Sequence, residues 1–238
     1  MTHSDIYKKF MIEYDKANVT SSYPSLTEYE VATLLDKAYL ALIAQKLTGN
    51  NLRRIGFEQD VKSIEDLRPL MTSKTMPNDA GIDVYASNDL AYKIPDKMLY
   101  FLQGFLQRSI VDNYNKIDNQ KHNIQNVMLV SHQNATKFMA TDSNLPWIPK
   151  PVCFIDSSSI HVLVDSYKLK TDNKPSLKVV YIMSPEKFVD NLTKKDTVKF
   201  ELSDSMVEEL VNMAIVFATN IVESQKLQSQ VSLLKLES

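Results

Sequence analysis

Apolar residues recur along this chain with two different periods, and the change of period divides it. Over residues 4–16, Ile6, Tyr7, Phe10, Met11 and Tyr14 fall at i, i+1, i+4, i+5 and i+8, the stripe of a short amphipathic helix opened by Ser4. That stripe either packs on the body of the chain or docks on a neighbouring chain. In SYPSLTEYEVATLLDKAYLALIAQKLTGN, residues 22–50, Leu26, Val31, Leu34, Leu35, Ala38, Leu42 and Ile43 keep helical spacing while Glu28, Glu30, Asp36, Lys37 and Lys46 fall largely off it. Two overlapping start signals, Ser25 to Glu28 and Thr27 to Glu30, have capping-box spacing, and Gly49-Asn50 marks the stop. A shorter helix is expected at Ser63–Leu67, where Ser63 and Asp66 resemble a capping box and Pro69 sets a limit. Pro77–Asp89 reads as a polar, turn-rich connection.

The period then shortens to two. Candidate strands are Leu90–Ile94, Met98–Gln103, Phe105–Val111, Asn126–His132, Val152–Ile155, Ile160–Asp165 and Leu177–Met183. Turn signals part them: Pro95-Asp96, Gly104, Asp112–Asn123 and the prolines 146, 149 and 151. Ile160, Val162 and Val164 share one strand face, as do Leu177, Val179, Tyr181 and Met183. From Ser203 the helical period returns. Ser205 and Glu208 have capping-box spacing, and Leu210, Val211, Ala214, Phe217, Ala218, Ile221 and Val222 form a long stripe. The final run holds Val231, Leu233, Leu234 and Leu236 with no partner nearby in sequence.

The expected fold is therefore α+β: N- and C-terminal helices packed together, with a central antiparallel, sandwich-like β-rich insertion. The expected parts are 1–76 (helical), 77–202 (β-rich) and 203–238 (a helix and tail completing the helical part). A chain of 238 residues is long enough to bury a sizeable core in one large domain or two small ones.

Composition narrows the function classes. The net charge of -2 disfavours a dedicated nucleic-acid binder, which needs a basic surface. The chain has no apolar run near the about 20 residues that cross a bilayer and no signal-peptide core, so a soluble protein made in a cytoplasm is expected. One cysteine, Cys153, excludes an internal disulfide framework and a Cys-based zinc knuckle. Only Gly49, Gly56, Gly81 and Gly104 occur, where average usage would give roughly sixteen. No two lie close enough to cradle a phosphate, which argues against P-loop and dinucleotide-binding enzymes.

Candidate chemistry is thin. Cys153 with His132 or His161 as base would make a thiol nucleophile, but it lies between Val152 and Phe154, where a buried inert thiol is commoner. Asp156-Ser157-Ser158-Ser159-Ile160-His161 holds the residue types of a serine hydrolase without the glycine-flanked elbow, and reads as a turn between strands. His122, His132 and His161 lack metal-ligand spacing. Glu208 and Glu209 suit a solvated flank near a helix N-terminus. Lys187, Lys194, Lys195 and Lys199 are interspersed with Glu186, Asp190, Asp196 and Glu201 and make no nucleic-acid strip. The expectation is a non-enzyme with no cofactor and no bound metal.

Tyr23-Pro24-Ser25-Leu26-Thr27-Glu28-Tyr29-Glu30, continuing through Leu34, Leu35 and Ala38, resembles the opening helix of ring proteins, or head–tail connectors, of tailed bacteriophages, the crAss-like group above all. Lys93-Ile94-Pro95-Asp96, Tyr181-Ile182-Met183-Ser184-Pro185 and the helix at Leu202–Glu223 fit more loosely. The resemblance implies a structural virion protein of the portal–tail neck, made in the host cytoplasm. It would be a cyclic homo-oligomer, twelve-fold favoured, that docks the portal or other neck rings and passes genome DNA through its channel without sequence-specific binding. A slightly acidic chain suits a channel that conducts DNA rather than holding it. Apolar content at the two ends nominates Ile6, Phe10, Tyr14, Val231, Leu233, Leu234 and Leu236 as subunit- or ring-interface residues. The alternative is a β-sandwich accessory module of the virion that recognises a host protein or glycan in a groove lined by Trp147 or the tyrosines.

Overall fold

The computed structural model describes residues 1–17, 26–48, 57, 60–79, 81–85, 89–109, 122–140, 150–164, 175–194, 200 and 202–236, the side chains at 16–17, 108–109, 122–123, 139–140, 194 and 222–236 excepted. The fold is α+β, in two compact units: Met1–Pro69 with Pro185–Ser238, and Leu70–Ser184 between them in sequence. The borders differ from those expected at 76/77 and 202/203. Met71–Met76 belongs to the β unit because it forms a strand there, and the segment after Pro185 returns to the helical unit.

The helical unit comprises α1 (His3–Ala17), α2 (Glu28–Thr48), α3 (Val61–Leu67) and α5 (Asp204–Leu236), with short 3₁₀ turns at Arg68–Leu70 and Val189–Lys194. Of the two start signals for α2, the structure uses the second. Thr27 Oγ1 accepts from the Glu30 N–H, and the Glu30 carboxylate accepts from the Thr27 N–H at 2.7 Å, a reciprocal capping box. These bonds hold the Glu30 carboxyl below its ordinary range. Tyr23–Ser25 and Gly49-Asn50 lie outside the described residues.

Three other caps fall N-terminal to their expected positions. Thr2, not Ser4, caps α1, exchanging bonds with Asp5. Asp60, not Ser63, caps α3, accepting from the Lys62 N–H, while Asp66 turns to Lys46. Ser203, not Ser205, accepts from the Met206 N–H at the start of α5. In each case the cap must precede the first helical residue, and each helix starts earlier than its apolar stripe.

The core of this unit lies where α2 meets α1 and α5. Val31, Leu35, Ala38, Leu42 and Ile43 of α2 are buried with Met206, Val207, Leu210, Val211, Ala214 and Ala218 of α5. A second focus is aromatic. Phe188 stacks on Phe200 at 4.3 Å and meets His3 and Tyr39, while Asp36 of α2 accepts from the N–H groups of Phe188 and Val189. Burial raises the Asp36 carboxyl against those bonds.

The β unit is one curled seven-stranded sheet, mixed rather than wholly antiparallel. Its strands are β1 (Met71–Met76), β2 (Asp89–Lys93), β3 (Met98–Ser109), β4 (His122–Leu129), β5 (Val152–Ile155), β6 (Ser159–Leu163) and β7 (Ser176–Met183), in the order β1-β7-β3-β4-β5-β6-β2. All pairs are antiparallel except β4 with β5, which is parallel. β4 bonds β3 through 122–127 and β5 through 128–129, so the sheet curls where that strand changes partner. Both ladders thereby share one core that includes Met76, Tyr92, Leu106, Val127, Cys153, Ile160, Val162, Leu177, Val179 and Tyr181.

Gly104 does not separate two strands. It lies inside β3, opposite Val127 and Val179, where an added Cβ would come within 3.2 Å of the Phe101 ring. On the outer face of β5 and β6, Val152, Phe154 and Leu163 are covered by Ala135 and Phe138 of α4 (His132–Ala140). No helix was expected there. β4 ends at Leu129, and Ser131 then starts the helix by accepting from Asn134 and Ala135.

Candidate functional site

The concentration of polar chemistry in the β unit is a hydrogen-bonded chain of Ser159, His161 and Asp89. Its origin is strand alternation. Ile160 and Val162 of β6 face the shared core, which turns Ser159, His161 and Leu163 to the other face. In the antiparallel pair of β6 with β2, Asp89 lies opposite Leu163 and so diagonally beside His161.

Ser159 Oγ lies 2.8 Å from His161 Nε2, and His161 Nδ1 lies 2.8 Å from Asp89 Oδ2. With Nδ1–H donating to the carboxylate and Nε2 accepting from the hydroxyl, the connectivity is that of a nucleophile, base and orienting acid. Ser159, His161 and Asp89 are 3%, 1% and 6% exposed. Phe154 stacks on His161 at 4.9 Å and Tyr85 meets it edge-on at 5.0 Å.

Tyr85 is itself held. Its N–H donates to Asp89 Oδ2 and its hydroxyl to Asp156 Oδ2 at 2.6 Å. The Asp156 bond raises the Tyr85 hydroxyl, and the Tyr85 bond lowers the Asp156 carboxyl. Ser159 Oγ is buried in this arrangement, and the three side chains make a polar tie between β2 and β6. The turn expected at Asp156–Ser159 is present: the Asp156 N–H donates to the Ser159 carbonyl and Ser157 N–H to the Asp156 carboxylate. What the sequence reading missed was Asp89, distant in the chain and flagged by no local motif.

The remaining candidates do not converge. Cys153 is buried in the shared core, which pushes its thiol up to about 12. His132 packs against Phe154 and Tyr85 at the start of α4. The side chains of His122 and Lys194, and residues Lys195, Lys199 and Trp147, lie outside the described residues. Among the described residues no group of three or more His, Cys, Asp or Glu is placed to hold a metal ion. No helix among them is long and apolar enough to cross a membrane.

Glu208 is exposed, whereas Glu209 belongs to a charge network of the helical unit. Lys46, 7% exposed, lies 2.7 Å from Asp66 Oδ2 and 2.8 Å from Glu209 Oε2, and Lys62 also pairs with Glu209. Ser203 Oγ donates to the other Asp66 oxygen. Burial alone would lower the Lys46 ammonium and raise the Glu209 carboxyl, but their mutual bonds outweigh it, leaving Lys46 raised and Glu209 lowered.

Of the residues nominated for interfaces, Ile6, Phe10 and Tyr14 are buried within the helical unit, with α1 lying against α5. They need no second copy to cover them, because their own chain does so. Val231, Leu233, Leu234 and Leu236 fall on the last turns of α5, and their side chains lie outside the described residues. The helical unit also has an open groove of about 850 Å³ between α2 and the first half of α5, lined mainly by apolar side chains including Ala41, Ala44, Met213, Val216 and Phe217. Val216 is 54% exposed there. Comparison with protein-family models and with curated protein sequences finds no match to this chain.

Proposed function

We propose that this chain is a structural ring protein of the portal–tail neck of a tailed bacteriophage, a cyclic homo-oligomer with twelve-fold symmetry favoured. It docks the portal or adjacent neck rings and leaves a channel for genome DNA and ejected proteins. The virion neck is then its working location, after synthesis in the host cytoplasm. The single observation that carries this reading is the unfinished apolar surface of the helical unit. The groove beside Val216 is open, and the backbone of α5 runs on from Phe217 to Leu236, about 28 Å farther at 1.5 Å per residue. Such a surface is a docking surface in a protein that assembles.

The β unit supports the same reading in a smaller way. Ile124 and Met128 of β4 stand exposed on one strand face, available to a neighbouring ring. Of the candidate nucleophiles, Cys153 and Ser159 are buried, whereas Ser157 and Ser158 are exposed on the turn and His161 bonds Ser159 rather than either of them, which favours a non-enzymatic role. The test is native mass measurement of the purified chain, alone and with virion extract. Closed rings that enter virions are expected. A stable monomer that never joins a virion would overturn the proposal.

A further inference from the structure

We propose that the groove between α2 and α5 receives the carboxy-terminal turns of α5, residues 227–236, from a second copy of this chain. The inference rests on the ring reading and names the contact that would build the ring.

Length is the first argument. The groove runs along α2 from Ala41 to Thr48 and along α5 from Glu209 to Phe217, roughly two helical turns, or about 10–12 Å. In the last turns of α5, Leu227, Val231 and Leu234 recur at i, i+4 and i+7, one stripe of about 10 Å. Groove and stripe therefore match in extent. On the α2 side the lining is small, Ala41 and Ala44, which lets a second helix axis approach closely, while Met213 and Val216 offer the ridge against which it packs.

Connectivity is the second argument. α5 is one continuous helix from Asp204 to Leu236, so Leu227 lies about 15 Å beyond Phe217 along the same rod. A rod cannot fold back into a groove beside its own first half. The segment can therefore reach such a groove only on another copy.

Charge is the third. Among the described residues Glu209 is the one ionisable side chain lining the groove, already paired with Lys46 and Lys62, and residues 225–236 bring only Lys226 and Lys235, so no carboxylate of the incoming segment opposes it. The donor and acceptor surfaces differ, so the contact is head to tail. Repeated by a rotation that divides the circle, it closes into a ring.

The experiment uses the full chain with Ala44→Cys and Leu234→Cys together, oxidised and run on a denaturing gel. Cys153 is buried and gives little background. The expected result is a ladder of covalent multimers in the double variant and none in either single variant. A parallel variant, Val216→Arg, alters an exposed position and so preserves the fold; it is expected to raise the concentration needed for assembly at least tenfold. Rings on native mass measurement without a ladder, together with unchanged assembly of Val216→Arg, overturn the groove contact and leave the ring reading standing. Cross-linking of Leu234→Cys to a different protein of the virion extract also overturns it, since the occupant would not be a second copy. A chain that stays monomeric alone and in extract overturns both readings.

Discussion

Replacing Lys46 by methionine removes the ammonium that ties α2 to α3 and α5 and keeps most of the side-chain volume. Asp66, 4% exposed, then retains only the Ser203 hydroxyl on its other oxygen and becomes a buried carboxylate without its counter-ion. Breaking a buried pair in this one-sided way costs about 3–5 kcal/mol. Glu209 is about one-third exposed and keeps Lys62, so its share of the loss is small, under about 1 kcal/mol. Against a total stability of about 5–15 kcal/mol, the variant should unfold at clearly lower urea concentration. The assay is urea unfolding followed by far-UV circular dichroism, which weights the helical unit. Removing both partners, Lys46→Met with Asp66→Leu, leaves no buried charge and should recover at least half of the loss. A single-variant cost under about 1 kcal/mol, or a double variant that loses the sum of both singles, would refute the reasoning.

The same network gives a pH dependence with a definite sign. Glu209 is lowered from 4.5, so its contribution is present above about pH 4.5 and lost as pH falls through the folded value; Lys46 is raised from 10.5, so its contribution is present below about pH 10.5 and lost as pH rises through its folded value. Urea midpoints of Glu209→Gln should accordingly fall less than those of the parent chain between pH 5 and pH 3, and equal slopes would contradict this. Thr27→Ala deletes the hydroxyl that caps α2 and should cost about 1 kcal/mol in the same assay. Asp89→Ala leaves the His161 Nδ1–H buried without its acceptor and should cost about 1–3 kcal/mol, whereas the native chain should not react with a fluorophosphonate probe at Ser159; labelling there would show that the site opens. The Cys153 thiol should react with a disulfide reagent at neutral pH only on the timescale of unfolding, and immediate reaction would show that its burial is wrong.

Much of the fold was legible because it is written locally. The stripe of α2 and its Thr27–Glu30 box need only the residues between 26 and 48; alternation located β6 and β7, and a short apolar run between turn residues located β5. The misplaced elements depend on distant partners. β1 reads MTSKTM, has only Met76 buried and exists because it pairs with β7 about a hundred residues later; as a sheet edge carrying Lys74 it has no apolar pattern to announce it. α4 was hidden by an apolar run that continued through β4, which ends where its bonding passes from β3 to β5. The parallel β4–β5 pair, which joins the two ladders into one sheet, was hidden for the same reason. In the polar cluster, Ser159 and His161 were visible as residue types on one strand, but Asp89 joins them only through the register of β2 on β6. The burial of this cluster against Tyr85 and Phe154 is likewise non-local.

Electron cryomicroscopy of the virion neck decides whether this chain builds a ring there. A closed ring of identical subunits around the DNA channel is expected, each fitted by this chain's helical unit, with the end of one α5 seated between α2 and α5 of its neighbour. A neck whose every ring is filled by other proteins, with this chain found elsewhere in the particle or in none of it, would contradict the account.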